Sequence, residues 1–272
     1  MKKLFTLLAL TMSFSMNAQM SDYSEGTSAT GSNAVAMGKS TTASGSRSTA
    51  MGGDSTASGD FSVAMGRGTT ASGNNSTAMG SGTIASGNNS SAMGYYTTAS
   101  GHKTTAMGAN TTASDYASLV IGQFNSSGSS VTNNATSYNT ANTAFVIGNG
   151  TDSSNKSDAF KVMFNGDATV SNDLTVSGDV VISSDARLKS NIVSLGSTLS
   201  RLLQIDGKSY EIKGKQKIGV LAQEIKEVFP ELVSEDDNEM LAVNYQGLVP
   251  VLINALKAVS YTHLRAHETQ FD

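Results

Sequence analysis

The 272-residue chain contains no cysteine and no tryptophan, and it has only two prolines and three histidines. The absence of cysteine excludes disulfides, thiol chemistry and zinc sites built on thiolates. Two of the histidines, His263 and His267, lie near the C-terminus, so we expect no histidine-based catalysis, no metal and no cofactor. The net charge is −4. Proteins that bind the phosphates of nucleic acids carry an excess of basic residues, so we predict no nucleic acid partner.

Long apolar runs are also scarce, and the one that stands out is at the start. Lys2 and Lys3 precede an apolar run from Leu4 to about Phe14. This run is too short to span a bilayer and has the form of a secretory signal peptide, cleaved after Ala18. We therefore expect an exported protein, at the cell surface or extracellular, without a transmembrane segment once the signal peptide is removed.

The chain is rich in small residues, and after an N-terminal segment (19–31) they form a strict fourteen-residue repeat over residues 32–122. Each repeat holds S-x-A-M-G and, half a period later, T-x-A-S-G. The apolar positions, each followed by glycine, are Met37, Met51, Met65, Met79, Met93, Met107 and Ile121. Self-similarity of this kind indicates a solenoid.

A fourteen-residue coil has room for two short strands and two tight turns, with glycine supplying positive φ at each turn. We predict an interior lined by alanines and one methionine per coil. Columns of threonine, such as Thr69, Thr83, Thr97 and Thr111, are predicted to face outward. This core buries little apolar area against the entropy of ordering the chain, which predicts that several identical chains pack side by side.

Two alternatives remain open for the repeat region. Glycine- and serine-rich sequence can be a flexible linker, although linkers do not keep methionine in register over seven periods. Stacked threonine columns on a flat outer face could bind ice, but Ile84 and Ser55 interrupt them.

Both half-motifs and their period resemble the head repeats of trimeric autotransporter adhesins, in which S-x-A-I-G recurs in a left-handed parallel β-roll made by three chains. The resemblance covers about ninety residues, with methionine in place of the usual isoleucine. It implies a mainly β fold, a homotrimeric head and an unknown surface ligand for that head.

A neck or linker with short strands is predicted over residues 123–183. Asn165-Gly166 is a hairpin turn signal and Ser177-Gly178 marks a further turn. The apolar positions of the alternating strands are Phe160, Val162, Phe164, Leu174, Val176, Val180 and Ile182.

The composition changes at Ser184. Charged residues number 18 in the first 183 positions and 22 in the last 89, while glycine falls from 22 to 5. This predicts a small α+β domain over residues 184–258. Its predicted elements are a helix capped by Ser197, a strand ending at Gly214, a buried strand from Ile218 to Leu221, a helix ending before Pro230, a strand at Leu241 and Val243, and a helix from Leu248 to Val259.

The last of these helices has an apolar stripe made by Leu248, Leu252, Ala255, Leu256 and Val259. The stripe either faces the core of the domain or forms a contact between chains.

Three motifs in this domain, S-D-A-R-L-K-S-N-I, G-V-L-A-Q-E-I with P-E-L-V, and V-N-Y-Q-G-L-V-P-V-L-I-N-A-L-K, resemble the intramolecular chaperone domain of phage endosialidase tailspikes. That family also includes a self-cleaving transcription factor of animal membranes. The resemblance spans residues 183–258. It implies a domain that trimerises, helps the preceding fibre to fold and then releases itself with a serine/lysine dyad.

Carried over by motif, the nucleophile is Ser184, the base is Lys189 and the cut falls between Ser183 and Ser184. Asp185, Arg187 and Asn191 belong to the same motif; Asp185 and Arg187 have a capping or salt-bridge role as readily as a catalytic one. This would be a single-turnover serine peptidase that acts on its own chain, with no external substrate.

The chemistry suits these residue types, because a serine hydroxyl attacks only when a neighbouring group takes its proton. Lysine can do so only when neutral, which burial promotes. Five residues along a regular helix separate two side chains by roughly 140°, so the dyad requires an irregular segment or a contact between chains. Otherwise Ser184 and Asp185 cap a helix and Lys189 is a solvated charge.

The final residues, 259–272, break the helical pattern, and VSYTHLRAHET resembles the translation of a sequencing-library adapter. We interpret this segment as an artefact. For the rest of the chain we predict an exported, adhesin-like homotrimeric fibre with an autoproteolytic folding domain. The alternatives are a phage-type tail fibre or tailspike component, which phage structural genes beside its own would favour, and an accessory fibre of a polysaccharide hydrolase, which would need a cluster of carboxylates.

Overall fold

The computed structural model describes residues 20–21, 26–236 and 239–268. The predicted signal peptide, residues 1–18, lies outside them. The chain divides into two compact units, Met1–Asp179 and Val180–Asp272, and each is described by itself.

The first unit consists mainly of short strands that alternate between two and five residues. Those of the repeat region are β1 (Met20–Ser21), β2 (Ser28–Ala29), β3 (Val35–Lys39), β4 (Thr42–Ala43), β5 (Thr49–Gly53), β6 (Thr56–Ala57), β7 (Val63–Arg67), β8 (Thr70–Ala71), β9 (Thr77–Ser81), β10 (Ile84–Ala85), β11 (Ser91–Tyr95), β12 (Thr98–Ala99), β13 (Thr105–Ala109), β14 (Thr112–Ala113) and β15 (Leu119–Gln123).

These strands form two parallel sheets that run the length of the unit. The odd-numbered strands pair in one sheet and the seven even-numbered strands β2 to β14 pair in the other. Each residue lies beside its equivalent fourteen positions away, so that Ala78 pairs with Ala92 and Met79 with Met93. This confirms the predicted parallel β-solenoid and removes the flexible-linker alternative.

The interior of the solenoid differs from the prediction. Alanines of both half-motifs are completely buried, including Ala78 and Ala85, but the methionines are not inside, and Met37 is 38% exposed. Thr69 and Thr97 belong to columns that are completely buried rather than exterior. Successive side chains in a strand point to opposite faces, so an inward alanine forces the following methionine outward.

The buried columns of hydroxyl side chains consist of Thr41, Ser55, Thr69, Thr83, Thr97 and Thr111, together with Ser48, Ser62, Ser76, Ser90 and Thr104. Because these hydroxyls face inward, the column of Thr69, Thr83, Thr97 and Thr111 is not on the surface. The neighbouring column of Thr70 and Thr98 is half-buried on the outer face and is interrupted by Ile84, which is 41% exposed.

The two glycine series have different structural reasons. Gly94, which follows Met93, has φ +126°, and a Cβ there would lie 2.0 Å from the carbonyl oxygen of Gly108 in the next coil. Gly73, of the second series, does not have a positive φ, but its Cβ would meet the carbonyl oxygen of Gly87 at 2.0 Å. The predicted positive φ is thus found in the first series only, and there it occurs within the strands, as at Gly94 in β11, rather than at a turn. Both series are glycine because adjacent coils approach closely.

A loop and three further strands complete the first unit. The coil resumes at β16 (Thr143–Asn149), which pairs in parallel with β15, and β17 (Asp158–Met163) and β18 (Ala168–Val170) follow in antiparallel order. The buried Asp115 carboxylate accepts the backbone N–H groups of Thr132 (2.6 Å) and Thr143 (2.8 Å), which fastens the loop to the last coils.

The hairpin predicted at Asn165-Gly166 connects β17 to β18, with Gly166 at φ +95°. The strands predicted around Leu174, Val176, Val180 and Ile182 are absent from this part of the described chain, and these four side chains are exposed. Alternating apolar residues form a strand only when a partner strand is present, and here one chain provides none.

The second unit is α+β. Its elements are a 3-10 turn (Ala186–Leu188), helix α1 (Leu199–Leu202), the hairpin β19 (Lys208–Ile212) and β20 (Lys215–Gly219), helix α2 (Ala222–Val228), a 3-10 turn (Pro230–Leu232), the pair β21 (Val233–Glu235) and β22 (Leu241–Val243), a 3-10 turn (Tyr245–Gly247) and helix α3 (Leu248–Glu268). No described helix is both long and apolar enough to cross a membrane.

The core of this unit is small. Ile225 and Phe229 of α2 pack against Val251 of α3, and partly buried apolar side chains surround them. Arg201 covers the Phe229 ring, with its guanidinium 4.0 Å from the ring centroid, and donates to the carbonyl of Val228.

Three predictions for this unit are wrong in detail. The N-cap of α1 is Thr198, not Ser197, and the Thr198 hydroxyl donates to the carbonyl of Val251 at 2.6 Å. Ile218 is 86% exposed rather than buried, because its hairpin has only two strands and one face is uncovered. Helix α3 continues beyond Val259 to Glu268.

The apolar stripe predicted for α3 is also displaced. Val251 and Ala255 face the core, whereas Leu252 is 51% and Leu256 is 71% exposed. Pro250 is the third residue of α3, where its missing N–H is not needed.

Candidate active site

The segment that carries the serine/lysine motif is an irregular turn. Asp185 is extended at φ −61° and ψ 134°, Ala186–Leu188 form one 3-10 turn, and Lys189 is extended again at φ −119° and ψ 146°. The backbone N–H of Lys189 donates to the carbonyl of Ala186 at 3.1 Å. The chain therefore folds back over five residues, which a regular α-helix would not allow.

This turn brings the two predicted catalytic residues together. The Lys189 Nζ donates to the Ser184 Oγ at 2.7 Å. Both side chains are exposed in a single chain. In this hydrogen bond Lys189 donates and Ser184 accepts. For a lysine to take a proton from a serine, the bond must run the other way, from the hydroxyl to a neutral amine.

Asp185 and Arg187 hold the turn rather than the nucleophile. Asp185 accepts the backbone N–H of Arg187 at 2.8 Å, as an N-cap does, and its carboxylate forms a bidentate ion pair with the guanidinium of Arg187. The side-chain hydrogen bond from Arg187 and then its backbone N–H hold the pKa of Asp185 below its usual value. The same contact raises the pKa of Arg187. Asp185 thus both caps the turn and forms the salt bridge, the two structural roles that the motif allowed.

The predicted cleavage position between Ser183 and Ser184 lies beside a shallow depression of about 380 Å³, lined by Ser183, Asp185, Arg187 and Leu188. Leu188 is 73% exposed. Asn191, the last motif residue, is exposed and adopts φ +54°, two residues beyond the lysine. One chain therefore positions the dyad, but it does not seclude it from water.

A second surface with apolar character is the outer face of the odd-numbered strands. Its central column is formed by the methionines of the repeat, which are half-buried apart from the exposed Met37. Val35 and Val63 lie two residues before a methionine on the same face, and Leu119 continues this face at 37% exposure. The sequence pattern located this column correctly but assigned it to the wrong side of the strand.

A feature that the repeat pattern obscured is the pair Tyr95 and Tyr96. Both rings are more than half exposed, and their centroids lie 4.6 Å apart at right angles. The signal was present in the sequence as two aromatic residues at positions that are small or polar in neighbouring coils.

The two units match two known protein families. Residues 29–55, 43–69, 71–97 and 99–125 match the YadA head domain repeat, and residues 184–234 match the chaperone of endosialidase. Both resemblances seen in the sequence are confirmed. The chain is thus an adhesin- or tail-fibre-like protein with a chaperone-type domain, and YadA-type heads are homotrimeric. No curated protein matches the chain at a significant level.

Proposed function

We propose that this protein is an exported homotrimeric fibre with an adhesin-like head, whose C-terminal domain assists trimer folding and then releases itself through Ser184 and Lys189. The observation that carries the proposal is the 2.7 Å hydrogen bond from Lys189 to Ser184 within the matched chaperone domain.

The trimer is supported by the apolar surfaces that one chain leaves uncovered. In the head this surface is the outer methionine column. In the second unit, Val181 is 88%, Ile218 86% and Val193 82% exposed. Exposed apolar side chains in this number are unusual for a soluble monomer and are typical of surfaces that a partner covers.

The proposed reaction is a single turnover on the bond between Ser183 and Ser184. Ser184 Oγ attacks the carbonyl carbon of Ser183 while neutral Lys189 takes the hydroxyl proton. The C–N bond then breaks, the proton passes to the departing amine of Ser184, and an ester joins the two residues. Water hydrolyses this ester, which leaves a carboxylate on Ser183 and restores the hydroxyl of Ser184.

Assembly would switch this reaction on. Lysine acts as a base only when it is neutral, and removal from water favours that form. Both dyad residues are exposed in one chain, so a neighbouring chain that covers this turn would create the environment that the base requires. Cleavage would then report that the trimer has formed.

Asp185 and Arg187 are positioning residues in this proposal, because their ion pair and cap hold the turn that brings Lys189 to Ser184. A carboxylate with a lowered pKa stays ionised further into the acid range. The cap is therefore kept through neutral pH and is lost only as the pH falls through that lowered pKa.

Export is supported by the sequence of residues 1–18, with its paired lysines and short apolar run. The mass of the secreted protein tests this part. We expect a mature N-terminus at Gln19, and retention of Met1 would contradict it.

The experiment for cleavage compares the wild type with Ser184→Ala, Lys189→Ala and Lys189→Arg by denaturing gel, intact mass and sedimentation. The wild type should give a fragment ending at Ser183 and one starting at Ser184. All three variants should stay uncut and trimeric, since guanidinium remains protonated. Ser190→Ala, an exposed serine beside the lysine, is the matched control and should cleave normally. Cleavage of Ser184→Ala at this bond, or an intact wild-type trimer, would overturn the proposal.

A further inference from the structure

The fifth full coil of the head departs from the repeat at Tyr95 and Tyr96. The preceding coil has Ser81 and Gly82 at these positions, and the following coil has alanine and asparagine. The tyrosine rings are 54% and 55% exposed and meet edge to face. They contribute little to the buried interior, which consists of alanine, serine and threonine columns.

Tyr96 also adopts an unfavourable backbone conformation. Its φ is +50°, in the left-handed region that bulky residues avoid. Every described residue of this column from Ser40 to Phe124 has a positive φ, so the left-handed backbone belongs to the turn rather than to Tyr96 alone. What distinguishes Tyr96 in the column is an aromatic ring that is more than half exposed and packs edge to face with Tyr95, although it adds nothing to the core.

Glycines in the two preceding coils leave space beside the rings. A Cβ on Gly82 would lie 2.7 Å from the ring of Tyr96, so the ring packs directly against the glycine backbone. Gly68, one coil further, has open space where its Cβ would be. Together they form a depression of about 310 Å³ with an aromatic wall.

The same depression is lined by Asp54 and Arg67, both exposed. Within the described residues, neither of these side chains forms a hydrogen bond or an ion pair. The depression therefore presents an aromatic ring, a carboxylate that accepts hydrogen bonds and a guanidinium that donates them on one surface. None of these three groups is needed to form the coil.

We propose that this depression is a binding site for a neutral hexose ring of a surface polysaccharide. A sugar ring has an apolar C–H face that packs on an aromatic side chain, and its hydroxyls both donate and accept hydrogen bonds. Asp54 accepts from hydroxyls and Arg67 donates to them. The carboxylate of Asp54 disfavours an acidic sugar, the guanidinium of Arg67 disfavours a cationic ligand, and an aliphatic peptide side chain would leave both charges unused.

The site accommodates one ring of a longer chain, because it is shallow and small. The affinity of a single site is therefore expected to be weak, on the order of millimolar. This inference rests on the proposed adhesive function, because it names the class of ligand that the head would bind. Its test is separate: hexose binding can fail in a protein that still trimerises and cleaves itself.

The test uses the full-length protein and the methyl glycosides of glucose, galactose and mannose, with binding followed by saturation-transfer NMR. At least one glycoside should receive saturation, most strongly at the protons of one ring face. Tyr96→Asn, which introduces the residue of the next coil, should weaken binding at least tenfold, and Arg67→Ala should also weaken it. Phe61→Asn is the matched control and should bind normally, because Phe61 is another exposed aromatic with φ +56° that lies outside this depression.

Three results would overturn the proposal. The first is no transfer to any of the three glycosides at millimolar concentration. The second is transfer that is unchanged in Tyr96→Asn. The third is loss of the trimer in Tyr96→Asn by light scattering, which would assign the tyrosines to an interface between copies of the chain.

Discussion

The two units of this chain differ in how completely a single chain buries their interiors. In the head, every interior alanine is fully buried and each coil repeats the hydrogen bonds of the last, so the interior is complete within one chain. In the second unit, the core is the small cluster of Ile225, Phe229 and Val251, while Val181, Val193 and Ile218 are almost fully exposed. The unit with the more conventional sequence therefore leaves more of its large apolar side chains uncovered in a single chain.

The two units therefore owe their stability to different sources: the register of neighbouring coils in the head, and the burial of large side chains in the second unit. The head relies on identical neighbours in strict register, and its apolar gain per residue is small because alanine has one methyl group. The second unit relies on a few large side chains, and much of its apolar surface is not covered within one chain. Substitutions should therefore act on the head through sterics and buried polarity, and on the second unit through lost volume.

The largest expected effect is that of a charge inside the head. Thr97 is completely buried, so Thr97→Asp places an unpaired carboxylate there at a cost of several kcal/mol. Met79→Asp, on the outer face, should keep the coil and weaken only association between chains. Circular dichroism melting measures the first effect and sedimentation the second. Equal loss of the coil in both variants would mean that the outer column is needed for folding.

This pair also shows what the sequence could reveal about the head. The fourteen-residue period predicted a parallel solenoid correctly, but it could not decide which of two adjacent columns faces inward. Ala78 and Met79 repeat with the same period, and the hydrophobicity of methionine favoured an inward position. Along the repeats the small space between the two sheets is filled by alanine, serine and threonine, and larger buried side chains, Val120 and Val146, occur only in the last coils. This spacing is a property of the folded coil.

For the candidate active site, the motif identified the segment, and the constraint that a regular helix cannot join Ser184 to Lys189 indicated an irregular backbone. The 3-10 turn and the ion pair that holds it were not predictable, because Asp185 and Arg187 had equally good alternative roles. The cover from other chains that the proposed reaction requires could not be predicted either, because no pattern within one chain specifies it.

The second prediction concerns the core of the second unit. Phe229 is 1% exposed and lies under the guanidinium of Arg201, so Phe229→Ala should destabilise this unit by about 3–5 kcal/mol. The head should melt unchanged, because its interior is formed by other residues. Ile218→Ala is the control at an exposed site and should alter the melting of an isolated chain by less than about 0.5 kcal/mol. Differential scanning calorimetry separates the two transitions, and a single shifted transition would show that the units do not melt independently.

The third prediction tests the close approach of adjacent coils. Gly94→Ala combines an unfavourable φ with a Cβ only 2.0 Å from the Gly108 carbonyl oxygen, and should destabilise the head by at least about 3 kcal/mol. Gly68→Ala has a positive φ of +62° but nothing within 4 Å of its Cβ, so it should lose only about 1–2 kcal/mol. Chemical denaturation gives both values, and similar losses would show that backbone conformation, not coil spacing, determines the glycine pattern.

The smallest effect compares two buried hydroxyls of the same column in the head. Among the described residues, Thr97 Oγ1 has no hydrogen-bond partner, whereas Thr69 Oγ1 donates to Ser55 Oγ at 2.9 Å. Valine has nearly the same shape as threonine, so Thr97→Val removes an unsatisfied polar group and should stabilise the head by about 1 kcal/mol. Thr69→Val removes a hydrogen bond and should destabilise it by about 1 kcal/mol. Denaturant midpoints under identical conditions measure both changes, and stabilisation of similar size in both variants would mean that the interior favours apolar side chains regardless of hydrogen bonding.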